Sequence, residues 1–115
     1  MDGPTAHEMA LDMPGTAKKE HFSRQSYSVK KKTYLTLSRE DDAAVMKLTL
    51  EQQAALCEEY PDAFGPVKTK LGKHGWTTVR MDQVNERTFR YVLDQAWRNV
   101  APKWLIATRQ HPPKS

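Results

Sequence analysis

The 115-residue chain carries 18 Lys and Arg against 14 Asp and Glu, a net charge of +4. That length suits one domain, which buries roughly two thirds of its unfolded surface and needs no disulfide or metal to fold. The single cysteine, Cys57, has no partner within the chain and fits a reducing compartment. No apolar run approaches the roughly 18 residues of a membrane span, and the acidic start MDGPTAHEMALDMPG lacks the apolar core of a signal peptide. These features predict a cytoplasmic protein with no membrane partner.

Basic and acidic segments alternate. Residues 15–34 hold six bases against Glu20, residues 39–60 are net −4, and residues 61–80 and 81–115 are each net +3. Whether the basic segments meet in space decides if the fold carries a positive patch.

A short helix is predicted over Pro4–Asp12, capped by Thr5 or Asp2, with Met9, Leu11 and Met13 supplying apolar contacts. Pro14-Gly15 ends it. From Lys18 to Leu48 the pattern is β. YSV (27–29) reads as a strand, KKKT (30–33) as a turn, and YLTL (34–37) as a strand with Leu35 and Leu37 on one side and Tyr34 and Thr36 on the other. SREDD (38–42) is a polar turn and AVMKL (44–48) the next strand.

TLEQ (49–52) has the form of a capping box, in which Thr49 caps a helix and Gln52 reaches back. That helix is predicted to run to about Tyr60, with Leu50, Ala54 and Cys57 on one buried stripe. The placement makes Cys57 a small apolar core residue rather than a nucleophile, since no base accompanies it. GPVKTKL (65–71), GKHG (72–75) and WTTVRM (76–81) read as a hairpin turned on Gly72 and Gly75. Asn85 caps the last long helix, whose Phe89, Val92, Leu93, Ala96, Trp97 and Val100 form one apolar stripe. Arg90, Asp94 and Arg98 are spaced to pair on another face. After Pro102, KWLIA (103–107) adds a terminal turn or short helix in which Trp104 closes the end of the core. RQHPPKS (109–115) reads as a disordered tail after a single domain of residues 1–108. The order is α, several strands, α, a hairpin, α. It defines an α+β domain of two layers, an antiparallel sheet with helices on one face.

Four stretches, ALDMPG, AVMKLTLEQQAAL, GKHGWTTVRMD and AWRNVAPKWL, resemble the MmcQ/YjbR-like proteins in order and spacing. The resemblance spans roughly residues 8 to 106. Its most specific parts are Gly72, Gly75, Trp76 and Thr77, then Ala96, Trp97, Ala101, Pro102 and Lys103. It implies a small two-layer fold similar to secretion chaperones and cytosolic proteins of bacterial type. It also implies a DNA-binding label in which two hairpins act as wings, and brings no catalytic residue set. Leu71 departs from the aromatic residue that the family pattern leads one to expect before Gly72, and Lys18 and Lys19 stand where acids are common.

The leading candidate site is a pair of basic hairpins: Lys30, Lys31 and Lys32 in one, and Lys68, Lys70, Lys73 and His74 in the other, followed by Trp76 and Arg80. Brought together, they would grip phosphates on both sides of a groove of double-stranded DNA, with little sequence preference. Exposed Trp76, Tyr34 or Tyr27 would stack on bases. The competing reading is that lysines suit turns and guard exposed strand edges. A second candidate is the outer sheet face, with Tyr34, Thr36, Lys47, Lys68, Lys70, Trp76, Thr78 and Arg80, as a surface for nucleic acid, another protein or a second copy of the chain. Gly72-Lys73-His74-Gly75 is not a phosphate loop, because a strand follows it. His7, His21, His74 and His111 lack ligand-like spacing, so no metal is expected. No acid–base or nucleophile constellation is apparent, and the sequence reads as a non-enzymatic binding protein without a cofactor.

Overall fold

The computed structural model describes residues 1–21, 24–38 and 42–110. Its elements are α1 (Gly3–Asp12), β1 (Thr16–His21), β2 (Arg24–Val29), β3 (Lys32–Ser38), β4 (Ala43–Lys47), α2 (Leu50–Glu59), β5 (Phe64–Pro66), β6 (Trp76–Arg80), α3 (Glu86–Val100) and α4 (Lys103–Gln110). All strands form one antiparallel sheet in the order β1-β2-β3-β4-β6-β5. This is the two-layer α+β architecture that the pattern predicts, with one strand more, β1, than the pattern separates.

The helix ends follow local chemistry. Asp2 caps α1 by accepting from the Thr5 amide at 2.8 Å. Thr49 and Gln52 close the capping box of α2 in both directions. Asn85 Oδ1 accepts from the Thr88 amide at 2.8 Å to start α3. Along α3 the predicted stripe is the buried one: Phe89, Val92, Leu93, Ala96 and Trp97 are all in the core. Trp97 is fully buried and its Nε1 donates to the Pro14 carbonyl at 2.8 Å, tying α3 to the end of α1. Truncating a side chain of this size in a core costs about 3–5 kcal/mol. On the exposed side of α3, Arg98 pairs with Asp94 at 2.7 Å and Arg90 with Glu86 at 4.0 Å.

Strand pairing separates the two faces of the sheet. Tyr27, Leu35, Met46 and Thr77 face inward together, as do Leu37, Ala44 and Val79, and all are fully buried under the helices. Ser26, Thr36, Val45 and Thr78 are paired in register on the opposite face, where they are partly exposed and none of the described helices covers them.

Several expectations need correction. Tyr34 does not face outward. The register of β2 with β3 shifts at Tyr27/Ser28, so Leu35 and Thr33 are paired and Tyr34 is the extra residue. A bulge of this kind breaks strict alternation. Tyr34 turns inward with 0% exposure, and its hydroxyl meets Thr16 Oγ1 at 2.8 Å and donates to the Ala10 carbonyl at 3.2 Å. Tyr27 is also fully buried, with His7 Nδ1 on its hydroxyl, so neither tyrosine is free to stack on a base.

The stripe on α2 is rotated from the predicted one. Leu50 and Ala54 are exposed and Cys57 is only partly covered, whereas Gln53 and Leu56 are buried. In α1, Leu11 is likewise exposed while Met9 and Met13 are core.

The segment before β6 is not a long strand. β5 stops at Pro66, and Lys70–His74 forms a 3-10 turn capped by Thr69. Lys68 and Lys70 therefore lie in a connection and not on the sheet face. Trp104 does not close the core: Leu105 and Ile106 turn inward and Trp104 is 60% exposed. The tail expected from residue 109 begins within α4, which reaches Gln110; residues 111–115, and residues 39–41 of the polar turn, lie outside the described residues.

Candidate nucleic-acid interface

The register fixes where the basic segments lie. β3 leaves the β2–β3 turn at Lys32 and runs antiparallel to β4, with Leu35 opposite Met46. β4 ends at Lys47, opposite Trp76 at the start of β6. The β2–β3 turn and the 3-10 turn before β6 are therefore at the same end of the sheet. Three strand spacings of about 4.8 Å separate their centres, roughly 14 Å, close to the roughly 12 Å width of a DNA major groove.

Each turn is held by specific contacts. In the first, Lys30 and Lys31 have φ of +48° and +69°, the left-handed pair of a two-residue hairpin turn. Asn-Gly is the relaxed choice there. Two lysines cost about 1–2 kcal/mol each, and they present two cations at the tip. The second turn ends at Gly75, φ +94°, where a Cβ would stand 1.8 Å from the Leu48 carbonyl oxygen. Only glycine fits that approach. The Leu48 amide donates to the Gly75 carbonyl at 3.0 Å, so the turn is bonded to the end of β4. Buried Gln53 holds it from below, its Nε2 donating to the carbonyls of Gly72 and Trp76 and to Thr77 Oγ1, each at 3.1 Å.

Two residues at this end, Lys47 and Trp104, were not singled out for it by sequence. Lys47 Nζ donates to the His74 carbonyl and lies 5.6 Å from the Trp76 ring centroid. Lys30 Nζ lies 5.5 Å from the Trp104 ring centroid. Each distance is within cation–π range. Trp104 reaches this end because α4 packs Leu105 against Gly15 and Val29, beside the β2–β3 turn. A visible signal existed: in KWLIA, Leu105 and Ile106 claim the buried side of a short helix, which turns Trp104 outward.

Of the nine residues predicted, Lys30, Lys31, Lys32, Lys68, Lys70, Lys73 and His74 are exposed at or beside the two turns. Trp76 is half-buried at the corner where this end meets the open face. Arg80 is not with them. It ends β6, four residues or about 14 Å away, and donates to the Asp62 carbonyl at 3.1 Å.

Other chemistry is sparse. Among the described residues, no group of three or more His, Cys, Asp and Glu could hold a metal ion, and no helix is long and apolar enough to cross a membrane. Burial pushes the Cys57 thiol up, away from the reactive thiolate. A cleft between α2 and α3, lined by Leu56, Tyr60, Arg87 and Tyr91, lies at the opposite end of the molecule. There Glu59 raises the Tyr60 phenol.

The fold and this surface define a class: a small two-layer α+β domain whose sheet is covered on one side, open on the other and basic at one end. The YjbR family model matches residues 11–99, and the chain belongs to that family. The crystal structure of Deinococcus radiodurans protein DR2400, a DUF419 domain, is similar with a TM-score of 0.66 at 16% identity, over 95% of this chain and 78% of that one. At that identity the likeness shows the shared fold alone. No curated protein is significantly similar in sequence.

Proposed function

We propose that this YjbR-family protein binds double-stranded DNA weakly and with little sequence preference, through the basic end of its sheet. The observation that carries the reading is the common location of the Lys30–Lys32 and Lys68–His74 turns, set by the pairing of β3, β4 and β6. The two turns are spaced to contact phosphates on either side of a groove, contacts that fix position and carry no sequence information. Affinity then comes from counterion release, and log K falls with log salt at about −0.9 per phosphate contacted. The protein acts as a binding module without a catalytic step.

The test is a fluorescence titration of a labelled duplex at low and moderate salt. Binding at low salt that weakens steeply with added salt, and a loss of more than ~10-fold in Lys30→Glu with Lys73→Glu, supports the reading. No binding at low salt, or binding indifferent to both substitutions, overturns it.

The alternative is an adaptor or homodimer built on the outer sheet face, and for the homodimer there is an electrostatic obstacle. Among the described strand residues, that face carries Lys19, Arg24, Lys47 and Arg80 and no acid. A symmetric contact would oppose like charges, which costs affinity and suppresses pairing.

A further inference from the structure

We infer that the open face of the sheet is a separate binding trough for single-stranded nucleic acid. The sheet register builds it. Its floor is the row Ser26, Thr36, Val45, Thr78 and Gly65, which runs across the strands from β2 to β5. The side chains of the row are short, and a Cβ on Gly65 would meet nothing within 4 Å, so the space above that end of the floor is open, while the Arg24 guanidinium reaches toward Thr36 Oγ1 at 3.4 Å. Two residues along each strand from the floor, Arg24 and Arg80 form one rim. Two residues the other way, Lys47 and Trp76 form the opposite rim. Lys19 on β1 extends the row at its edge, paired with Ser26. The rims are about 14 Å apart, and five strand spacings give a length of about 24 Å.

The chemistry selects one occupant. Four cations line the trough and no acid of the described strands shares that face; Asp42 stands beside the Arg24–Arg80 rim, where it accepts from Ser38 Oγ at 2.7 Å. An extended polyanion fits that charge. Trp76 offers a ring face whose present partner is the Lys47 ammonium, 5.6 Å from its centroid, and serine and threonine hydroxyls on the floor supply hydrogen bonds of either sense. Cationic borders with an aromatic stacking platform on a sheet are the means by which single strands are held without sequence preference. A duplex is the poorer fit, since a flat face inserts nothing into a groove. The length suits about four nucleotides, at the small end of such sites.

This trough does not depend on the duplex reading: Lys47 and Trp76 at one rim adjoin the basic end, but the floor and the Arg24–Arg80 rim lie apart from the two turns. The test is fluorescence anisotropy of labelled dT12 and U12 at low salt, with the full chain. Gly65→Glu sets a carboxylate on the floor where the structure leaves room. Arg24→Gln with Arg80→Gln removes one rim from exposed positions as a second, milder variant. The expected result is binding of one or both oligomers, loss of at least ~10-fold in each variant with unchanged circular dichroism, and unchanged duplex binding. Lys30→Glu with Lys73→Glu then spares the single strand. Failure of both oligomers to bind, equal binding by folded Gly65→Glu, or equal competition by poly-glutamate overturns the trough. So does sedimentation of the free chain as a dimer that Gly65→Glu dissolves, because the face then belongs to a second copy.

Discussion

The side-chain amide of Gln53 donates to the backbone carbonyl of Gly72 at 3.1 Å, joining the middle of α2 to the turn that presents Lys70 and Lys73. The same nitrogen reaches the Trp76 carbonyl and Thr77 Oγ1. A buried amide thus sets the conformation of a basic loop from below. Gln53→Ala removes three buried hydrogen bonds; the Gly72 and Trp76 carbonyls keep the Gly75 and Val67 amides, while Thr77 Oγ1 loses its Gln53 donor, and such a buried loss costs about 1–3 kcal/mol. The urea midpoint should fall accordingly. Amide exchange at residues 70–76 should accelerate more than exchange in α3, because the loss is local to the turn.

The β2–β3 turn separates stability from binding. Lys30→Asn with Lys31→Gly gives the turn the residues its left-handed geometry prefers. It is expected to stabilise the fold by about 1–2 kcal/mol, raising Tm by about 4–8 °C per kcal/mol in a domain of this size. The same variant removes two cations, so duplex affinity should drop and the salt slope should shrink by about 2. A thermal scan paired with a salt titration measures both. A variant that becomes less stable would contradict the turn geometry.

Tyr34 makes stability depend on alkaline pH. Burial pushes its phenol up to about 12, opposed by the hydrogen bond from Thr16 and helped by the neighbouring Tyr27. The unfolded value is near 10. A raised folded value means that the folded state holds the proton more tightly. Its stabilising effect is complete below about pH 10 and is lost as pH rises toward 12. Denaturant midpoints across pH 9 to 12 should fall in the wild type. In Tyr34→Phe that fall should be flatter, on a starting stability lower by about 1 kcal/mol from the lost hydrogen bonds.

The strongly patterned parts of the fold were legible in the sequence, and the reason is local. The Thr49–Gln52 capping box and the Asn85 helix with its Phe89–Trp97 stripe each carry their information within a few residues. The two-layer class follows from element order alone. The failures share a different cause. Tyr34 obeys a one-residue bulge that only pairing with β2 creates. Gln53 looks like a surface residue until Gly72 and Trp76 are brought over it from across the chain. Lys68 and Lys70 alternate like strand residues, yet Gly72 packs so closely on Val67 that a Cβ would stand 2.1 Å from its carbonyl oxygen, which folds the segment into a turn. Seven of the nine candidate residues do gather at or beside the two turns, because charge runs in turns stay exposed wherever the turns go. That the turns share one end depended on β6 inserting between β4 and β5, which no local pattern encodes.

The most direct measurement is a titration of isotopically labelled protein with a short duplex, followed by amide chemical shifts at low salt. Shifts concentrated at residues 30–32, 47 and 68–76, reversed by added salt, are the expected result. The opposite end, around Asp82 and Glu86, should stay still. Shifts centred on that far end, or none at any duplex concentration, would contradict DNA binding by the basic end of the sheet.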